Sequence, residues 1–136
     1  MKPLALALGL AAGVAMIAAC GEGHHGAAQP VLAADWRPAS PTPDSLADGE
    51  RLFRAACTAC HGELALGTTQ GPPLLHPFYE PGHHGDEAFQ QAVLRGVRPH
   101  HWSFGPMPAV PGLDRPQVAR IAAYVRWLQG EAGIGR

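Results

Sequence analysis

The chain has 136 residues, enough for one domain with one modest core. Ten basic residues face 11 acidic ones for a net charge of −1, Lys2 is the lone lysine, and no basic cluster stands out, which excludes nucleic acid as a partner. With 17 glycines and 14 prolines the fold must be rich in loops, and apolar burial alone would hold it only marginally; a large buried cofactor would supply the missing contact area.

Met1 and Lys2 form a minimal positive start, and residues 3–19 are uncharged and rich in Leu and Ala. They end in Ile17-Ala18-Ala19-Cys20, which resembles a bacterial lipobox: an aliphatic and two small residues that fit a peptidase pocket, then a cysteine whose sulfur takes diacylglycerol. The expectation is a signal peptide over 1–19 and lipidation at Cys20. An uncleaved anchor and an ordinary signal cut near Ala19 are the other readings, and the second would leave a lone exposed thiol. Lipid on Cys20 puts the protein in the bacterial cell envelope, facing the periplasm from the inner or outer membrane, because two or three acyl chains anchor stably where one does not.

Residues 20–44 read as the lipidated start and a flexible tether. They contain Gly-Glu-Gly-His-His-Gly and Pro30, Pro38, Pro41 and Pro43, with little apolar periodicity. Trp36 is the residue there expected to pack on the domain, which spans 45–130 and leaves 131–136 as a tail.

A helix follows, with Ser45 or Asp44 as its N-cap and acids in its first turn. Leu52, Phe53 and Ala56 lie at helical spacing. Cys57 and Cys60, three apart, fall on one face of the helix end, within reach of two vinyl groups along one side of a porphyrin. His61 comes next, able to turn its imidazole under the iron. That is why C-x-x-C-H signals covalent c-type haem. A thioredoxin-like pair would follow a strand, and none is visible. A zinc site would need a second ligand pair of matching spacing, and beyond Cys57 and Cys60 the chain has only the isolated Cys20.

A middle helix over 86–95 turns Phe89, Ala92 and Val93 inward and stops at Gly96. Met107 stands in Gly105-Pro106-Met107-Pro108, where two prolines restrict the backbone. The closing helix starts at Asp114, with Gln117 as capping-box partner and Pro116 in the first turn. Val118, Ile121, Ala122, Val125 and Leu128 form its apolar stripe.

Residues 44–129 resemble a class I monohaem cytochrome c. The likeness rests on Asp48-Gly49-x-x-Leu52-Phe53 before the haem motif, Gly71-Pro72-Pro73-Leu74 after it, the Met107 loop, and a final helix bearing Tyr124 and Trp127. It implies an all-α fold of three or more short helices and long loops around one haem. It also implies crossed first and last helices near Gly49, the Pro72 carbonyl as acceptor for the His61 ring, and Met107 as the second axial ligand of the iron. The expected function is single-electron transfer between redox proteins, with no substrate turnover, so not an enzyme. The lysine ring through which many mitochondrial members dock has no counterpart.

Seven further histidines complicate the sixth ligand: His24, His25, His76, His83, His84, His100 and His101. His100 and His101 are the nearest rivals to Met107. An open iron site would instead suit a haem sensor or a peroxidase-like protein. The His-His pairs suggest a copper or zinc site and hence a metal-handling lipoprotein, although in extended chain each pair would turn only one ring toward a given site. Tyr79 and Trp102 read as haem-edge or rim aromatics.

Cys20→Ser is expected to abolish incorporation of labelled fatty acid and to block signal processing. Label on that variant would show that Cys20 is not the acylated residue.

Overall fold

A computed structural model describes residues 32–135; the signal segment, Cys20, His24 and His25 lie outside them. The described residues form four α-helices joined by long loops, with no strand: α1 Ala47–Ala56, α2 Thr58–His61, α3 Asp86–Arg95 and α4 Arg115–Glu131. The architecture is all-α, as expected, and no helix among the described residues is long and apolar enough to cross a membrane.

The start of α1 differs from expectation. Neither Ser45 nor Asp44 caps it through a side chain; a 3-10 turn over Asp44–Leu46 leads in, with Leu46 N–H donating to the Pro43 carbonyl at 2.8 Å. The tighter turn takes up amides that a side-chain cap would have held. Leu52 and Phe53 are buried but Ala56 is exposed, because α1 ends there and the axis breaks at Cys57 before α2. The closing helix follows its sequence closely. Asp114 accepts from Gln117 N–H at 2.8 Å and donates its own N–H to Gln117 Oε1 at 2.9 Å, the two halves of a capping box.

The stripe of α4 is buried in full, from Val118 to Leu128, and Tyr124 and Gln129 are buried with it. It packs on α1 around Phe53, whose ring lies 5.6 Å from that of Tyr124. Leu75 and Ala65 from the loop after α2 complete this core, and Leu32, Trp36, Ala132 and Ile134 pack against its edge. Gly49 makes the crossing possible: a Cβ there would stand 2.2 Å from the Arg120 carbonyl oxygen. Arg120 is mid-helix backbone, so it cannot swing aside as a side chain would.

Replacing Gly49 with Ala should therefore push α1 off α4, at a cost of about 2 kcal/mol typical of overpacking. For a domain of this size that is a fall of roughly 8 to 16 °C in melting temperature, measurable by circular dichroism of the haem-loaded protein. An unchanged melting temperature would mean the helices do not depend on this approach.

Candidate functional site

The crossing of α1 and α4 leaves an apolar cavity of about 470 Å³, within the range of small-molecule and cofactor sites. Phe53, Ile121 and Val125 line it from the two helices, and Cys57, His61, Pro72 and Met107 also border it. Cys60 is exposed and not part of the wall. A larger depression of about 660 Å³ near Arg54 and Pro41 contains none of these residues and is open and more polar.

Two backbone devices shape the cavity. His61 sits at the end of α2, and its Nδ1 lies 2.9 Å from the Pro72 carbonyl oxygen. A carbonyl only accepts, so the Nδ1 proton is held there and Nε2 keeps its lone pair. Burial holds His61 below the ordinary histidine range, against the opposing pull of the Pro72 bond, so the ring is neutral at neutral pH. Met107, half-buried, is fixed through its main chain. It exchanges two hydrogen bonds with Val97, at 2.9 and 3.0 Å, in an antiparallel bridge. Gly96, at φ +79°, ends α3 so that the chain passes tightly over the Met107 carbonyl; a Cβ there would meet it at 2.6 Å.

Cys57 is a half-buried thiol. Burial, with the neighbouring Cys60 as the lesser cause, pushes it up to about 11, whereas disulfide-exchanging pairs depress a thiol to make thiolate. At the edge of the cavity, Cys57 is placed to be captured by a group bound there. A flat apolar group that accepts one neutral imidazole fits the walls.

The sequence could not anticipate several contributors. Val97 carries no local signal, since its partner is ten residues away. Arg126, on the flank of the α4 stripe, donates to the Tyr79 carbonyl at 2.6 Å and to the His84 carbonyl, and pairs with Asp86 at 2.9 Å. Buried Gln129 donates to the Leu74 and Tyr79 carbonyls at 2.9 and 3.0 Å. Together they fasten the 74–86 loop to α4. Trp102 Nε1 donates to the Tyr79 hydroxyl at 2.9 Å, tying a second loop to the first beside the cavity. The His pairs also depart from alternation. His83 and His84 both receive their turn from the Glu80 carbonyl, and rings from both pairs converge in a turn geometry that extended chain would forbid.

A covalent motif at a helix end, a fixed imidazole and an apolar slot between crossed helices belong together in one class of protein, the c-type cytochromes. The chain is a member of the cytochrome c family, whose model matches residues 46–129, and its cofactor is a covalently bound c-type haem. It is similar to the cbb3-type cytochrome c oxidase subunit CcoP of Rhodobacter capsulatus, 33% identical over 88 residues. That match covers 60% of this chain and 29% of the relative, so the chain spans under a third of that protein's length.

Cys57→Ala/Cys60→Ala is expected to carry no haem through denaturing electrophoresis, as read by haem staining, and to be largely unfolded by circular dichroism because the cofactor stabilises only the folded state. Retained stain, or a well-folded haem-free chain, would contradict this account of the site.

Proposed function

We propose that the protein is a single-electron carrier in which Cys57 and Cys60 hold the haem covalently and His61 and Met107 ligate its iron. One observation carries the reading: His61 and Met107 border the same apolar cavity, and backbone hydrogen bonds fix both. The haem supplies a one-electron Fe(III)/Fe(II) couple. The Pro72 carbonyl keeps the proton on Nδ1 of His61, which sets the ring's orientation and strengthens Nε2 as a donor. The Val97 bridge and the two prolines hold the weak thioether of Met107 ready at small entropic cost. With His61 and Met107 both holding it, the haem iron would offer no open position to a substrate, and the protein would act as a carrier rather than an enzyme.

His100 and His101 border the cavity too. Their rings are held elsewhere: His100 Nδ1 by the Arg98 carbonyl, and His101 by stacking on the face of Phe78. This favours Met107. The similarity to an oxidase subunit supports redox proteins as donor and acceptor. Residues 17–20 support a lipid anchor at Cys20, with the domain facing the bacterial periplasm.

Met107→Ala should open the iron to CO, read as a shift of the reduced absorption spectrum. Met107→His should stay six-coordinate and low-spin while the midpoint potential falls by on the order of 0.1 V or more, since axial ligands command roughly 0.8 V in all. If Met107→Ala leaves spectrum and potential unchanged, a histidine is the ligand instead.

A further inference from the structure

Four imidazoles gather where the 80–85 turn meets the 98–102 loop. His83 Nε2 lies 3.4 Å from His101 Nε2, and His84 Nε2 lies 3.4 Å from His100 Nε2. Ligand atoms of His83, His84 and His101 all fall within 4.8 Å of one another. His84 and His101 are half-buried, His83 is exposed, and His84, His100 and His101 also border the cavity that holds the haem.

The proton inventory makes this more than a crowd of surface histidines. His84 Nδ1 is bonded to the Phe78 carbonyl, and His100 Nδ1 to the Arg98 carbonyl at 2.9 Å. Both carbonyls only accept, so each Nδ1 carries the ring proton and each Nε2 of the neutral ring carries a lone pair. When both rings are neutral the two lone pairs face each other at 3.4 Å with no hydrogen between them, and a cation placed between them turns the contact favourable. Anchoring Nδ1 to a carbonyl while Nε2 faces the ion is the usual outer-sphere arrangement of metal-bound histidine. The spacing fits as well. Two imidazole nitrogens bonded to one tetrahedral zinc at ~2.0–2.1 Å stand about 3.3 Å apart.

The scaffold is held in advance. Arg126 fastens the first loop through the Tyr79 and His84 carbonyls and Asp86, and the Trp102–Tyr79 bond ties the second loop to it. Phe78 stacks on His101 at 4.4 Å between centroids and limits its rotation. Small turns of the rings then close the widest spacing on an ion.

We propose that His83, His84 and His101, with His100 beside His84, form a second metal site at the rim of the haem cavity. It takes a borderline transition-metal dication, zinc(II) or copper(II). All-imidazole ligation suits these ions and not magnesium or calcium, which take oxygen.

The test titrates Zn²⁺, then Cu²⁺, into the haem-loaded full chain in competition with a chromogenic chelator. One tight equivalent is expected, and excess Mg²⁺ should not displace it. His83→Ala should weaken it at least tenfold and His83→Ala/His101→Ala should remove it, while His24→Ala/His25→Ala should keep it. Bound Cu²⁺ should give an electron paramagnetic resonance spectrum split by more than one nitrogen. Independently of any variant, Zn²⁺ should protect His83 and His101 of the unaltered protein from diethylpyrocarbonate, mapped by mass spectrometry. Any of three results would overturn the site: the tight equivalent surviving in the double variant, its loss with His24 and His25, or no protection at His83 and His101.

Discussion

The approach of α1 to α4 at Gly49 is the contact from which the rest of the structure follows. A Cβ at that position would stand 2.2 Å from a backbone oxygen, so only a bare glycine lets the helices cross this closely. Once crossed, they present Phe53 from one helix and Ile121 and Val125 from the other to a single apolar slot. The haem motif begins where α1 ends, one residue after Ala56. The crossing therefore fixes the slot and the chemistry at its edge together, and a shift of α1 would move both.

A chain with this much glycine and proline needs another means of holding its loops, and it uses two α4 side chains, buried Gln129 and half-buried Arg126, aimed at main-chain carbonyls. Gln129, 1% exposed, and Arg126 between them bind the carbonyls of Leu74, Tyr79 and His84. Buried carbonyls without helix or sheet partners cost stability unless a donor reaches them, and one long arginine can serve several. The exposed pairs, such as Arg51 with Asp48 and Arg115 with Glu87, contribute far less, since solvent screens them and ordering two long side chains costs entropy. Loop order near the haem thus depends on α4, and α4 depends on α1.

This arrangement suits one-electron transfer. The iron's surroundings should change little between oxidation states, and the two residues proposed as axial ligands are both held by main-chain hydrogen bonds. Rigidity of that kind keeps the site organised without substrate or lid, as expected of a member of the cytochrome c family.

Much of this was legible in the residues alone. The C-x-x-C-H spacing, the capping box at Asp114 and Gln117 and the apolar stripe of α4 are local patterns, since their partners lie within one or two helical turns and the backbone period decides which side chains meet. The start of α1 was misjudged because a 3-10 turn and a side-chain cap satisfy the same amides and the sequence permits both. What remained hidden joins distant segments: Val97 to Met107, Arg126 to the 79–86 loop, and His83 to His101 across 18 residues. No periodicity links such pairs. The amino-acid sequence by itself determined the haem motif, the helices and the family; only the tertiary structure decided which loops meet over the cavity and turned scattered histidines into one cluster, because loop docking depends on carbonyls that every residue carries alike.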